Sequence, residues 1–140
     1  MWNEAYARVR PDPATLPADR RNMVWMMFTD DANRARMRGW ESAARAVLSQ
    51  FRVAAGRHPG DPRFAELIGA LTQASQPFRD GWEYPVRYFR PATFAIQHPD
   101  AGLITLEMFQ LRLVDQPGLV AVIQVPANPT SRARVKSLLG

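Results

Sequence analysis

Apolar and polar positions along this chain change their period near Tyr84-Pro85, from about 3.6 residues to about 2. The longer period predicts amphipathic helices, and the shorter period predicts strands with one buried face. The chain before Tyr84 is therefore predicted to be helical, and the chain after it to form a meander of strands. Helices that precede an antiparallel meander predict an α+β fold, with the helices packed on an antiparallel sheet.

Several helices are predicted before the change of period. They cover residues 3–9, 18–29, 31–55, 62–74 and 75–82. Asn3, Asp61 and Ser75 stand at N-cap positions, where a short polar side chain accepts a hydrogen bond from the first helical turn. Three prolines within residues 10–17 predict an extended connection there.

The longest predicted helix, residues 31–55, has one continuous apolar face. Apolar residues from Trp40 to Ala55 repeat at three- and four-residue spacing. Polar residues on the opposite side include Arg45, Ser49 and Arg52. Gly39 is expected to bend or break the helix near its start, and Gly56 is expected to lie just past its end.

The second part of the chain alternates with the period of a strand. Predicted strands cover residues 86–90, 93–98, 104–113 and 119–125, followed by a short basic helix at about 130–139. Apolar positions in the third strand change parity at 108–109, which predicts a β-bulge or a strong bend. Residues 119–125 are nearly all apolar, which is typical of a central strand with both faces covered.

The segment Met23–Phe28 is apolar at every position and contains three of the six methionines. A helix that is apolar all round must be enclosed on most sides. Unbranched methionines fill irregular space and re-pack easily, so they suit either a filled core or the wall of an apolar cavity. Helical spacing places Met23, Met26 and Met27 on one side and Val24 and Phe28 on the other.

An apolar cavity is one of two interpretations of this segment. It would lie between helix 18–29, helix 31–55 and the concave face of the sheet, and a filled core is the alternative. Tryptophans that would contribute to either are Trp2, Trp25, Trp40 and Trp82. Arg20, Arg21 and Asn22 stand beside the apolar run and could hold an acidic head group. For Arg21, a salt bridge or a helix-surface position is the plainer interpretation.

Length and composition limit the class of protein. With 140 residues, 46% of them hydrophobic and 22% charged, the chain is expected to form one soluble globular domain. No apolar stretch approaches the roughly 20 residues of a membrane span, and the start does not resemble a signal peptide. Cysteine is absent, and a cytoplasmic location is expected.

The net charge of +5 does not by itself indicate a nucleic-acid surface. The arginines are scattered singly or in pairs, without the clustered basic stripe that such surfaces show. We therefore do not expect this chain to contact DNA directly.

Residues with catalytic or metal-binding chemistry are sparse. His58 and His98 each precede a proline in a predicted turn, and neither belongs to a recognisable metal-ligand motif. Glu107 is expected on a solvated strand face. The sequence therefore predicts no catalytic residue and no metal site. The alternative is a small α+β enzyme in which His98 works with Asp100 or Glu107.

Motifs along almost the whole chain resemble those of one family. They are Trp2-Asn3, Leu16-Pro17, Arg21-Asn22, Phe28-Thr29-Asp30, Trp40, Leu48 to Arg52, His58-Pro59-Gly60-Asp61-Pro62, Leu67 to Leu71, Ser75 with Phe78, Trp82, Val86-Arg87, and His98-Pro99 to Leu106. Their order and spacing resemble the MmyB-like transcription-regulator ligand-binding domain. That domain is the PAS-like sensor part of bacterial Xre-type helix-turn-helix regulators.

The resemblance implies a PAS-like sheet carrying helices, and an apolar cavity that accepts a fatty acid or a similar lipid. It also implies that ligand binding is coupled to an N-terminal helix-turn-helix domain and so to transcription control. That DNA-binding domain is not present in these 140 residues, so this chain alone is not expected to bind an operator. The first PAS strand, expected before Trp2-Asn3, is also missing, which would leave a sheet edge able to pair with another chain in a homodimer.

The residues and this resemblance together predict a non-enzymatic sensor domain without a cofactor, whose ligand is a fatty acid or another lipid-like molecule. Predicted ligand-binding residues are Arg21, Asn22, Met23, Trp25, Met26, Met27, Phe28, Trp40, Leu48, Phe51, Trp82, Leu106 and Met108. The leading alternative is an oligomerisation module with a filled core.

Overall fold

The structure is a computed structural model that describes residues 1–87, 92–116 and 118–140. The helices in this part of the chain are α1 (Glu4–Val9), α2 (Met23–Thr29), α3 (Asp31–Arg36), α4 (Trp40–Arg57), α5 (Pro62–Ala74), α6 (Gln76–Trp82) and α7 (Pro129–Leu139). The strands are β1 (Met37–Arg38), β2 (Ala92–His98), β3 (Gly102–Arg112) and β4 (Val120–Pro126). These elements confirm the predicted α+β fold.

The chain divides into two compact units. One unit, here called the sheet unit, contains residues 1–11, 36–39 and the described part of 90–140. The other, the helical unit, contains residues 12–35 and the described part of 40–89. The sheet unit carries α1, α7 and the four strands, and the helical unit carries α2 to α6.

The sheet is antiparallel with the strand order β1-β2-β3-β4. Pairing of Phe94 with Leu106 and of Ile96 with Ile104 places these four side chains on one face. That face forms the core of the sheet unit together with Val9 of α1, and Val135 and Leu138 of α7 pack against it. The alternating apolar residues of β2 and β3 therefore form a core on one face of the sheet.

Helix α7 is fastened to the sheet by a buried serine. The hydroxyl oxygen of Ser131 accepts a hydrogen bond of 2.9 Å from the backbone N–H of Thr105 in β3. Strand β4 ends at Pro126, which pairs with Leu106 of β3. The strand therefore supplies no acceptor for the backbone N–H of the preceding residue, Thr105. Ser131 supplies the acceptor that the strand no longer provides, because a buried N–H without a partner is costly.

The structure corrects two predictions about the strands and part of a third. The predicted bulge at 108–109 is wrong, because β3 pairs in unbroken register with β2 and with β4. Its later apolar residues point to the other face instead, where Phe109 and Leu111 are exposed. The predicted central strand is also wrong, since β4 is an edge of the sheet in the described part of the chain. Of the strand predicted at 86–90, residues 86 and 87 have no regular structure, and 88–90 lie outside the described residues.

Capping side chains begin the helices where the sequence predicted them. Asn3, Asp61 and Ser75 each accept a backbone hydrogen bond from the first turn of the following helix. Asp61 also binds Arg63, and hydrogen bonds from the side chain and backbone of Arg63 hold the pKa of the Asp61 carboxyl below its ordinary value of 3.8. Asn128 caps the C-terminal helix α7 in the same way.

The structure also corrects the predicted helix over 18–29. Residues Ala18–Arg20 form a single 3₁₀ turn, and α2 begins at Met23. The side chain of Asn22 accepts a hydrogen bond of 2.7 Å from the N–H of Trp25 and so caps α2. An Asn in the extended conformation starts a new helix at this position and cannot lie within one.

The predicted long helix over 31–55 is two helices. Gly39 has a φ of +72°, which only glycine adopts without strain, and it separates α3 from α4. Between the helices, Met37 pairs with Ile96 and Arg38 with Ala95 to form the short strand β1. The expectation that Gly39 would break the helix is confirmed. Gly56 lies inside α4 rather than past its end.

Aromatic side chains fill the core of the helical unit. Phe78 is fully buried and meets Phe28 edge to face, with ring centroids 5.4 Å apart. Trp82 and Phe51 lie 5.3 Å and 6.5 Å from the ring centroid of Phe78. This cluster joins α2, α4 and α6, because each helix contributes at least one ring. Among the described residues, no helix is both long enough and apolar enough to cross a bilayer.

Candidate functional site

Helix α2 carries the apolar segment Met23–Phe28, and its two halves differ in burial. Met26, Met27 and Phe28 are buried in the helical unit. The other half, Met23, Val24 and Trp25, is only half-buried. Burial therefore does not follow the predicted division, because Phe28 lies in the core with Met26 and Met27. One turn of α2 keeps apolar surface that the protein does not fully cover.

The three polar residues predicted to hold an acidic head group have structural contacts of their own. The guanidinium of Arg21 donates hydrogen bonds to the backbone carbonyls of Leu16, at 2.7 Å, and Ala14, at 3.4 Å. Asn22 is the N-cap of α2. Arg20 lies over the ring of Trp25, 4.0 Å from its centroid, and also contacts Asp19. These contacts hold the chain that leads into α2.

Trp40, Leu48, Phe51 and Trp82 belong to the same core as α2. The indole N–H of Trp40 donates a hydrogen bond of 3.1 Å to the carbonyl oxygen of Met27. Its ring meets that of Phe28 edge to face, with centroids 5.8 Å apart. The helical unit thus contains these four residues and all the predicted positions on α2 and before it.

The remaining predicted ligand-binding residues lie in the sheet unit. Leu106 is buried in the core of that unit, and Met108 on the same strand is half-buried. Their role in binding a ligand stays a prediction.

An open cleft lies on the polar side of α4, where α6 and the chain that follows it meet that helix. Its lining residues are Arg45, Leu48, Ser49, Arg52, Gly81, Tyr84, Pro85 and Arg87. The volume of the cleft is about 60 Å³, which is room for a few waters rather than for a whole small molecule.

The segment Tyr84–Arg87 is fastened to α4 by contacts with polar side chains of that helix. Arg52 donates a hydrogen bond to the backbone carbonyl of Tyr84. Arg45 lies over the Tyr84 ring, 4.6 Å from its centroid. The backbone N–H of Arg87 donates to the hydroxyl oxygen of Ser49 at 3.1 Å. These contacts assemble a cleft with a polar rim, with Leu48 as its buried apolar floor.

A glycine sets the distance between α6 and α4 at this cleft. A Cβ added to Gly81 would lie 2.9 Å from a methyl carbon of Leu48, closer than real side chains approach. Leu48 is buried to 3% exposure, so a side chain at position 81 would have to displace it. Gly81 therefore allows the close approach that forms the floor of the cleft.

His98 has a structural role in this fold. One ring nitrogen of His98, Nε2, lies 3.0 Å from the carbonyl oxygen of Arg8. The other, Nδ1, accepts hydrogen bonds of 3.2 Å from the backbone N–H groups of Asp100 and Ala101. Since Nδ1 accepts both bonds, the proton is on Nε2, which donates to Arg8. A buried histidine engaged on both nitrogens holds α1 and the following turn, which disfavours its use as a catalytic base.

The family model of the MmyB-like transcription regulator ligand binding domain matches residues 1–138. The chain belongs to that family. As an MmyB-like ligand-binding domain it is the ligand-sensing part of a transcription regulator, and the recognition made from sequence motifs is confirmed. Comparison with curated proteins and with solved structures yields no match.

The cleft of this MmyB-like domain was not predicted from the sequence. The prediction that Arg45, Ser49 and Arg52 lie on one side of the long helix is confirmed, but that side was expected to face solvent. The spacing of these residues, with Leu48 at its edge, already predicts one shared helix face. What the sequence lacked was any sign that Tyr84 and Arg87 would pack there, because that contact joins positions far apart in the chain.

Proposed function

We propose that this MmyB-like domain binds a fatty acid or a similar apolar small molecule in its helical unit. Binding would be coupled to DNA contacts made by a separate helix-turn-helix domain, in the cytoplasm and without enzymatic chemistry. The observation that carries the proposal is the half-buried first turn of α2. Met23, Val24 and Trp25 leave apolar surface half-exposed beside a core of methionine and aromatic side chains.

The composition of this core suits a ligand that must make its own space. Met26 and Met27 follow the half-buried turn of α2 in the chain and are buried, and the next residue, Phe28, belongs to the aromatic cluster. Methionine side chains change rotamer at little cost, so an acyl chain can be accommodated by re-packing rather than by a preformed cavity. In the proposed complex the chain lies against α2 and the core residues Trp40, Leu48, Phe51 and Trp82.

The energetics are adequate for micromolar binding. Burying about 12 methylenes at about 0.8 kcal/mol each gives roughly 10 kcal/mol of gross stabilisation. Part of this is lost to ordering the ligand and the side chains that move. Micromolar affinity needs about 8 kcal/mol. Because burial of the apolar chain supplies most of this free energy, the protein need not be specific for one particular acid. Control of transcription further requires that the ligand prefer one state of the regulator.

Ligand binding is tested by native mass spectrometry of the purified protein and by titration with laurate, myristate and palmitate. We expect a co-purified lipid or saturable binding with a dissociation constant near the micromolar range. Met23→Asp places a charge on the half-buried turn of α2 and should weaken binding at least about tenfold. Val53→Asp, at an exposed position on α4, is the matched control and should bind as the unaltered protein does. Absence of both co-purified lipid and saturable binding would refute the proposal.

Self-association through β4 is a second candidate function, favoured by a separate observation. Strand β4 is an edge of the described sheet and carries no charged residue. Phe109, Leu111, Ile123 and Val125 share one face at this edge and are all exposed. Edge strands normally carry charges or proline to prevent pairing. In β4 the single such residue is Pro126 at its last position, so the apolar edge before it invites a second copy of this chain.

Analytical ultracentrifugation over a range of protein concentrations tests this second candidate. We expect a dimer that does not depend on added fatty acid and that dissociates in Ile123→Lys, because two copies would bring like charges together. Leu139→Lys, at an exposed position near the end of α7, is the control and should remain dimeric. A monomer at all concentrations, or a dimer unaffected by Ile123→Lys, would exclude this interface.

A further inference from the structure

The cleft on α4 has an electrostatic imbalance that the fold alone does not explain. Three of its lining residues, Arg45, Arg52 and Arg87, carry a positive charge, and no acidic residue lines it. In the described part of the chain, none of the three forms a salt bridge with a carboxylate. Like charges gathered around one cleft repel each other, and an anion between them removes that cost.

These arginines retain hydrogen-bonding capacity for such an anion. Arg52 donates to the Tyr84 carbonyl, and a guanidinium has further N–H donors beyond that contact. The guanidinium carbon of Arg45 lies 4.6 Å from the centroid of the Tyr84 ring, and this ring contact does not use the five N–H donors of the guanidinium as conventional hydrogen bonds. The contact made by Arg87 at this cleft uses its backbone N–H, not its side chain. Planar guanidinium groups pair with carboxylates through two parallel hydrogen bonds.

The floor of the cleft connects the charged rim with the apolar core. Leu48 lines the cleft and is buried to 3% exposure. On the same helix Phe51 belongs to the aromatic cluster, and the ring of Trp82 lies 6.4 Å from it. Arg52 lies over Trp82, 5.5 Å from the ring centroid. A charged rim directly above a buried apolar cluster matches a molecule with an anionic head and an apolar tail.

We infer that the cleft formed by Arg45, Arg52 and Arg87 binds the carboxylate of the ligand, with the apolar chain directed past Leu48 into the helical core. This inference rests on the proposed function, since it assigns the polar end of the same ligand. It replaces Arg20, Arg21 and Asn22 as the head-group site, because the side chains of those residues hold the chain around α2.

Isothermal titration calorimetry with laurate and its methyl ester tests the inference. The two compounds have the same apolar chain, but only laurate carries a charge at about pH 8. We expect the unaltered protein to bind laurate at least about tenfold more tightly than the ester. Added salt should weaken the binding of laurate and leave the binding of the ester unchanged.

Single substitutions locate the charge preference in the cleft. Arg87→Gln keeps the backbone bond to Ser49 and should lower laurate affinity about tenfold without changing ester affinity. Arg45→Gln should act in the same way. Arg132→Gln, on the exposed surface of α7, is the control and should leave both affinities unchanged. Circular dichroism of each variant confirms that the helices are retained.

The outcomes separate this inference from the proposed function. Equal affinity for laurate and ester, unaffected by the cleft variants, would overturn the inference and leave fatty-acid binding in place. Loss of laurate affinity in Arg21→Gln but not in Arg87→Gln would overturn it in favour of the loop before α2. No saturable binding of either compound would overturn both.

Discussion

Replacing Phe78 by alanine should lower the free energy of unfolding by about 3–5 kcal/mol. Phe78 is fully buried, with 0% of its surface exposed, and its ring contacts aromatic rings from α2, α4 and α6. Truncation removes the transfer free energy of the ring and leaves a cavity that three helices would have to collapse to fill. Urea unfolding followed by circular dichroism measures the loss.

Phe109→Ala is the matched control, because it removes the same ring from a position that is 38% exposed on β3. We expect a clearly smaller loss of stability there, since a partly exposed ring has less surface to return to water. A Phe78→Ala protein that unfolds within about 1 kcal/mol of the unaltered protein would contradict the packing described for the helical unit.

Helix starts could be predicted from the sequence because capping is a local interaction. Asn3, Asp61 and Ser75 each reach a backbone N–H only two or three residues away, so the cap needs no contact from elsewhere in the fold. The same local chemistry explains the error at α2. Pro17 and Asp19 are good opening residues, but Asn22 has the stronger cap, with a hydrogen bond of 2.7 Å to the N–H of Trp25.

Strand β1 and the edge position of β4 could not be predicted, because both depend on distant partners. Met37 becomes part of a strand only by pairing with Ile96, which lies far along the chain. Residues 119–125 are apolar enough for a central strand, yet nothing in the described chain pairs with the outer edge of β4. An apolar run indicates that a strand avoids water but does not show what covers it.

The candidate site was partly predictable for the same reason. The apolar run on α2 and the apolar face of α4 predicted a shared core, and Phe28, Trp40 and Phe51 do lie in one aromatic cluster. The charged cleft was not predictable, because scattered arginines resemble an ordinary helix surface. Only the packing of Tyr84 and Arg87 against α4 turns that surface into a cleft.

Trp40 is expected to give the second large effect, in two separable steps. The indole N–H donates to the carbonyl of Met27, one of the last four carbonyls of α2 that lack a partner within the helix. Trp40→Phe removes this bond and leaves a buried acceptor unpaired, which should cost about 1–3 kcal/mol in urea unfolding. Trp40→Ala also removes the ring that packs on Phe28 and should cost about 3–5 kcal/mol in total.

Trp2→Phe provides the control, because Trp2 is 37% exposed and lies outside the buried core. Its stability should stay within about 0.5 kcal/mol of the unaltered protein. The difference in free energy of unfolding between Trp40→Phe and Trp40→Ala measures the packing of the ring separately from the hydrogen bond. If both Trp40 variants were equally stable, the ring would contribute nothing beyond its N–H, and the edge-to-face contact with Phe28 could not be part of what joins α2 to α4. If the Trp40 ring does join α2 to α4, it fixes the position of the apolar segment of α2 relative to the arginines of α4. A ligand with an apolar tail and a charged head requires both groups to be held in this way.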